Sequence, residues 1–334
     1  MNNVKPKHVP VLDSLRAIAA LSVCFYHFIC GPIGFIKNEF ILDSFYLGAF
    51  GVQMFFVISG FIIPWSLYHN KYKILYYFKF LLKRFIRLEP PYLISILLVV
   101  VFFFLRKLYT DVPDVRLPFL DAKQIALHVG YLIPFTDYHW MNRVYWTLAI
   151  EFQFYLFMGL FYFLIIKDDF KIRLSGYLFV FGVSFIGSDQ FLLHWLPVFL
   201  LGNLLFLKMT DHINKIEFYF FSIVSFLLIS LYNPLPAFFA CFISVVMILF
   251  FYNYSNKILN WFGKISYSIY LTHAIVGLAS INVMLRFANS SFSKVLIIII
   301  GFLITLFVSY IMYRFVEKKS QQISSKINFY NKND

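Results

Sequence analysis

Charge is scarce in this chain. Only 13% of its 334 residues are Asp, Glu, Lys or Arg, while 61% are hydrophobic and 22% aromatic, with 45 Phe. A typical soluble domain carries about 25% charged residues. A soluble multidomain protein is therefore excluded, and a polytopic membrane protein is expected. Cysteine is scarcer still. Cys24, Cys30 and Cys241 form no CxxC pair and no His/Cys cluster. All three fall in apolar runs, where a thiol behaves as a small hydrophobe, so neither a disulfide nor a metal site is expected. The first apolar run lacks a small-residue cleavage site and keeps an internal arginine, so it is expected to be retained rather than removed as a signal peptide. Also missing are an alignable internal repeat, a low-complexity linker and a polar stretch long enough for a soluble domain. One membrane domain, residues 1–334, is expected.

What the chain does contain is hydrophobic runs. Runs of spanning length fall near 12–31, 46–66, 88–105, 145–166, 174–188, 190–207, 218–232, 235–252, 265–285 and 295–315. They predict an all-α fold of about ten transmembrane helices, with 174–188 and 218–232 short for the task. The piece QIALHVGYLIPFT at 124–136 is too short to span and is expected to be re-entrant or interfacial. The net charge of +13 invites a nucleic-acid reading, but the placement of the basic residues argues otherwise. With ten spans and the N-terminus inside, twenty of the 29 Lys and Arg fall on inner segments and eight on outer loops, with Arg16 inside helix 1. That is the positive-inside pattern. It predicts both termini and the 67–87 loop in the cytoplasm, the 106–144 segment outside, the lipid bilayer as partner and no nucleic acid.

Ionisable groups inside apolar runs are costly and mark function. In LDSLRAIAALSVCFYHF, Arg16 and His27 are eleven positions apart. That is three helical turns plus about 20°, so the two share one face roughly 16 Å apart along the axis. In KYKILYYFKFLLKRFIRLEPPY, six Lys or Arg crowd the inner face. The cluster reads either as topogenic charge near lipid phosphates or as an anion site, with Arg84 and Arg87 at i, i+3 converging on one phosphate. Pro90 and Pro91 then restrict the backbone as the chain enters the third span. In YWTLAIEFQFYLF, Glu151 and Gln153 are the strongly polar side chains of their span. Glu151 and His27 are both expected in the outer half of the membrane, where a carboxylate could orient the imidazole. The alternative is an interhelical hydrogen bond. His273 in WFGKISYSIYLTHAI reads more readily as a packing partner than as a catalyst. Ser59 and Gly60 in FFVISGFII read as a close helix approach. Asp13 reads as a helix cap, and Glu317 as a partner for a basic residue.

Taken together, these segments resemble the acyltransferase-3 family of bacterial integral-membrane acyltransferases. The resemblance rests on Arg16 to His27 in helix 1, FFVISGFII with Ser59, the RxxR of Arg84 and Arg87, and the Trp-Thr-Leu-x-x-Glu of Trp146 to Glu151. It continues through ISYSIYLTH with Tyr270 and His273, and RFVEK with Glu317. Two positions depart from the family pattern: Thr147 stands where serine is usual, and Ser14 where glycine is common. The resemblance implies transfer of an acyl group, most often acetyl from acetyl-CoA, to a hydroxyl of a cell-envelope glycan at the bacterial inner membrane. It implies His27 as catalytic base with Arg16 and Glu151 beside it, and Arg84, Arg87 and Arg16 as the donor-binding cations. Asp13, Ser59, Trp146, Tyr270, His273 and Glu317 are further motif positions. An O-antigen or other lipopolysaccharide sugar is the first acceptor to expect, then capsular or secreted polysaccharide, with peptidoglycan, macrolide antibiotics and small lipid acceptors as further options. A transporter or flippase and a catalytically silent scaffold are the rival classes. The sequence gives no indication of oligomeric state.

Overall fold

The computed structural model describes residues 8–32, 34–109 and 122–329. Lys5, Lys7, Arg116 and Lys332, counted above among the basic residues, lie outside them, and the side chains of Arg106 and Lys107 are likewise not described. Every regular element among the described residues is helical. Among the described residues, eight helices are long and apolar enough to cross a membrane.

Helix α1 (Pro10–Cys30) runs unbroken through Arg16 and His27. A short surface helix α2 (Glu39–Tyr46) and a 3-10 turn lead into α3 (Gly51–His69). Helix α4 (Tyr77–Tyr109) is longer than the 88–105 expected, because the basic segment before it is itself helical from Tyr77. Pro90 and Pro91 therefore lie inside this helix, not at its entrance. Proline removes a backbone donor there, and neighbouring helices compensate such turns in membranes. The prolines leave the Ile86 and Arg87 carbonyls without their i+4 donors, and just beside them the Tyr267 hydroxyl donates to the Leu88 carbonyl at 3.0 Å, tying this turn to a neighbouring helix. Helix α5 (Ala122–Val129) covers part of 124–136 and does not reach spanning length.

The next four helices are α6 (Trp146–Ile165), α7 (Phe170–Ser184), α8 (Leu192–Met209) and α9 (Lys215–Tyr232). After α10 (Leu235–Phe250) and α11 (Lys257–Lys264), α12 (Ser266–Thr272) continues through a π-helical turn, His273–Leu278, into α13 (Ala279–Met284). Helix α14 (Ser291–Met312) likewise passes through a π turn, Tyr313–Glu317, into α15 (Lys318–Ser325). Each of the ten apolar runs is thus helical, but α7 and α10 fall short of a full span at 15 and 16 residues. The 218–232 run, expected to be short, reaches 18 residues because α9 starts at Lys215, capped by Asn214.

Backbone contact between small residues sets the packing. Helices α3 and α8 make the most extensive helix pair. A Cβ on Gly60 would sit 2.1 Å from the Phe199 carbonyl oxygen, and one on Gly202 2.1 Å from that of Val57. The close approach expected of FFVISGFII is therefore reciprocal. On α11, Gly263 meets the Asp13 carbonyl of α1 equally closely. Helix α7 is tied to α9 by a buried pair, with Arg173 Nε and Nη2 donating to the two Glu217 oxygens at 2.8 and 2.9 Å. At one end of the bundle the C-terminal segment folds over α4. Lys79 and Lys83 donate to the carbonyls of Phe329 and Ile327, and Ser324 to that of Lys83. The start of α1, the α3–α4 connection and residues 318–329 thus share the lysine-rich end.

Candidate active site

Seven helical segments surround a cavity of about 240 Å³. Asp13 and Arg16 enter it from α1, Ser59 from α3, Arg84 and Arg87 from α4, and Glu151 and Tyr155 from α6. Lys264, Tyr267 and Tyr270 come from α11 and α12, and Tyr313, Glu317 and Gln321 from the last helix. Arg84 and Arg87 share a wall because i and i+3 share a helix face. Tyr155 joins Glu151 by the same logic at i+4.

Arg84 is buried, its guanidinium 5.5 Å from the Phe80 ring centroid and 5.6 Å from that of Tyr155. Its Nε–H has no hydrogen-bond partner among the described residues. Arg16 is partnered weakly by Asp13 at 3.6 Å, and Asp13 also accepts from His8 Nε2 at 3.0 Å. The other two cavity carboxylates are held by hydroxyls and an amide. Glu151 Oε1 accepts from Ser59 Oγ at 2.9 Å and from the Tyr155 hydroxyl at 2.5 Å. Glu317 accepts from Ser268 Oγ at 2.5 Å and Gln321 Nε2 at 2.9 Å. Three arginines thus face one space whose acids are already occupied, which suits an anionic ligand.

The far wall of the cavity is Tyr270, whose hydroxyl is fixed by Thr147 Oγ1 at 2.7 Å and the Val144 carbonyl at 3.2 Å. Behind it the Tyr270 ring lies 5.8 Å from that of His273, and His273 lies 5.2 Å from His27. His27 therefore sits past Tyr270, among Tyr26, His273 and the field of Arg143, and does not line the cavity.

Residues 9–314 match a protein family described as an acyltransferase domain. The chain belongs to this acyltransferase family. It is 26% identical to a provisionally named O-acetyltransferase of Staphylococcus aureus (strain COL), over 94% of this chain and 57% of that protein. It is 31% identical to the peptidoglycan O-acetyltransferase OatA of Listeria monocytogenes, over 48% of this chain and 25% of that protein. The chain thus spans just over half the length of the S. aureus relative and a quarter of OatA. No solved structure is a significant match.

The acyltransferase fold gathers most of the residues expected from the sequence, though not all in the expected roles. Arg16, Arg84, Arg87, Asp13, Ser59, Glu151, Tyr270 and Glu317 meet in the cavity. Glu151 was expected beside His27. It lies instead with Ser59 and Tyr155, because α6 turns that face toward α3 and α4 rather than toward the outer end of α1. The ring neighbour of His27 from another helix is His273, which had been read as a packing residue. Asp13 does not cap α1. The N-cap is Val9, and Asp13 projects from the first turn into the cavity. Glu317 is held by Ser268 and Gln321 rather than by a basic side chain. Trp146 packs among Phe56 and Trp195, outside the cavity lining.

Sequence reasoning missed Tyr155, Tyr267, Ser268 and Gln321, although Tyr155 and Gln321 each stand four residues from a cavity carboxylate. It also missed Glu89, a carboxyl 2% exposed within α4. The sequence signal for Glu89 was an acid inside an apolar span.

Proposed function

We propose that this chain is a membrane O-acyltransferase that moves an acyl group, acetyl foremost, from a cytoplasmic acyl-CoA to a hydroxyl of an extracytoplasmic cell-envelope glycan. The observation that carries this reading is the convergence of Arg16, Arg84 and Arg87 on one cavity whose far wall, Tyr270, abuts the His273–His27 pair. CoA is a polyanion bearing phosphates at one end and a thioester at the other. The three arginines, with the unpartnered Nε–H of Arg84, supply charge-assisted donors for the phosphates. The cavity is small by ligand-pocket standards and suits one arm of the donor, the remainder reaching the lysine-rich end. By the positive-inside rule that end is cytoplasmic, with both termini inside a bacterial cytoplasmic membrane.

In this reading His27 is the general base. Its imidazole takes the proton from the acceptor hydroxyl as that oxygen bonds to the acyl carbonyl carbon. The carbon–sulfur bond breaks, and His27 returns the proton to the departing thiolate. An imidazole can both take and return a proton, as the two steps require. Arg16, on the same helix and facing the cavity, holds the donor on the cytoplasmic side of the reacting carbonyl. The likeness to OatA supports a glycan acceptor and brings peptidoglycan alongside O-antigen and exopolysaccharide as the classes to test.

The test offers radiolabelled acetyl-CoA to inside-out vesicles and follows label into the glycan fraction, with glycan mass spectrometry of cells with and without the gene. We expect label transfer and an acetyl increment that depend on the chain. A well-inserted His27→Ala protein should lose roughly 10²–10⁴-fold in rate. No consumption of acetyl-CoA by the wild-type chain would overturn the reading, and near-normal transfer by His27→Ala would overturn the role of His27. Impermeant thiol labelling near Lys73, from outside the cell, would overturn the orientation.

A further inference from the structure

His273 holds a buried acceptor with nothing to accept. Its Nδ1 lies 3.1 Å from the Ile269 carbonyl oxygen, one helical turn earlier. A carbonyl only accepts, so Nδ1 carries the hydrogen, and the other nitrogen of the neutral ring, Nε2, is left as a bare lone pair. That atom is fully buried and has no hydrogen-bond partner among the described residues. A packing role alone would leave the desolvation cost of such an atom uncompensated.

The adjoining ring that can donate is His27. The two imidazole centroids are 5.2 Å apart with planes inclined at 39°. Imidazoles joined edge to edge by an N–H···N bond of ordinary length have centroids about 5 Å apart, which is the spacing of this pair. The backbone keeps the pair together. His273 opens the π turn His273–Leu278, and such turns concentrate at functional sites. Within that turn Gly277 has no room for a Cβ, which would lie 2.1 Å from Thr305 Oγ1 and 2.4 Å from the Phe28 ring. Phe28 is the residue after His27, so the absent side chain at Gly277 is what lets α1 seat this closely.

We infer that His273 is the positioning residue of His27: its Nε2 accepts the N–H of one His27 ring nitrogen and so fixes the other as the lone pair that faces the acceptor hydroxyl. This rests on His27 being the base, as proposed above. It places a neutral imidazole where an acyl-transfer site more often uses a carboxylate, and it gives Glu151 to the donor cavity instead. His273 orients the base but does not touch the acyl group.

Two substitutions separate this role from packing. His273→Asn keeps a donor near the position of Nδ1 for the Ile269 carbonyl and removes the atom at Nε2. His273→Gln places an amide oxygen near the position of Nε2. On purified protein in detergent, His273→Asn should lower kcat roughly 10–10²-fold, less than loss of the base itself, with KM for acetyl-CoA unchanged. His273→Gln should recover much of that loss. An independent readout is ¹⁵N NMR of labelled histidine, with the His27 signals assigned by their absence in His27→Asn. The wild type should show one His27 tautomer, His273→Asn a mixture, and His273→Gln one tautomer again. Equal losses in both variants, or His27 signals that do not change in His273→Asn, would overturn the inference. The NMR result does not depend on turnover. A wild-type chain that holds one tautomer but transfers no acyl group therefore refutes the proposed function and not the histidine pair.

Discussion

Ser59 Oγ and Glu151 Oε1 lie 2.9 Å apart across the α3–α6 contact, and the Tyr155 hydroxyl meets the same oxygen at 2.5 Å. Two hydroxyl donors on one carboxylate oxygen fix Glu151 in place, in a cavity that three arginines also line. With Asp13 and Glu317 it is one of three acids that face the three guanidinium groups.

The first prediction concerns this balance. Glu151→Gln keeps an oxygen for Ser59 and Tyr155 but removes the charge. The thermal midpoint in detergent should fall by an amount corresponding to about 1.5–3 kcal/mol, the scale of hydrogen bonds to a charged group. Added CoA should restore more of the midpoint in the variant than it adds to the wild type, because a bound polyanion replaces the missing charge. Differential scanning fluorimetry reads both effects. Equal midpoints for the two proteins without ligand would show that Glu151 does not serve as counter-ion.

A second prediction follows from the reciprocal glycines. Gly60→Ala and Gly202→Ala each place a methyl 2.1 Å from a backbone oxygen of the facing helix, and neither backbone can move alone. Overpacking of this kind costs about 1–3 kcal/mol or more, so each variant should show less folded protein by size-exclusion chromatography and a lower midpoint. Gly176→Ala is the control. Its Cβ would meet nothing within 4 Å, and alanine is the better helix former by up to about 1 kcal/mol. Comparable behaviour of all three variants would refute the packing argument.

Those glycines also show how far the sequence could be read. Gly60 was marked as a close approach because small residues in an apolar run permit one, but nothing in its own run names Gly202 as the partner. The same limit governs the site. Arg16 and His27 lie on one helix, so their shared orientation follows from helical pitch alone, and α1 is unbroken as expected. Arg84 with Arg87 follows from i, i+3 spacing in the same way. Glu151 was placed near His27 by its depth along its own helix, and depth carries no information about which neighbour that face meets. The π turns at His273 and Tyr313 change the face presented partway along a helix, and ordinary periodicity cannot show this. The boundary differences have a simpler origin. The lysine-rich start of α4 is too polar to count as a span, yet it contains no helix breaker between Tyr77 and Glu89.

Acid sensitivity of the 122–145 region is a third prediction. His128 in α5 is fully buried, with Nδ1 donating to the Gln124 carbonyl at 2.8 Å and Nε2 accepting the Met141 backbone N–H at 3.0 Å. Protonation would turn Nε2 into a donor facing a donor. Burial holds this imidazole below its ordinary pKa, the carbonyl contact opposing only in part. An imidazole depressed in the folded state is protonated first in the unfolded state, so stability is constant above about pH 6.5 and falls as the pH drops below it. Amide exchange of Met141 should therefore quicken between about pH 7 and pH 5, after correction for intrinsic rates. In His128→Gln, which cannot titrate, the corrected rate should not change over that interval. A wild-type rate that does not change would mean that protonation does not break the Met141–His128 bond.

The last prediction distinguishes donor binding from general surface charge at the lysine-rich end. Arg84 and Arg87 line the cavity, whereas Lys71 and Lys73 are exposed on the α3–α4 connection and do not. If the arginines bind the donor phosphates, Arg87→Ala should weaken CoA affinity by about 1.5–3 kcal/mol, roughly 10–150-fold. Arg87→Lys should recover only part of this, since an ammonium keeps the charge but not the planar fork. Arg84→Ala should cost stability as well as affinity, because its guanidinium packs against Phe80 and Tyr155. Arg87 is half-buried and is therefore the cleaner test. Lys71→Ala and Lys73→Ala should shift CoA affinity far less, since a basic residue merely near anionic lipid contributes about 1 kcal/mol and that potential is absent in detergent. Isothermal titration of CoA into purified protein measures all of these. A common shift across the four alanine variants would make the whole end an electrostatic patch and remove the case for the arginine cavity as the donor site.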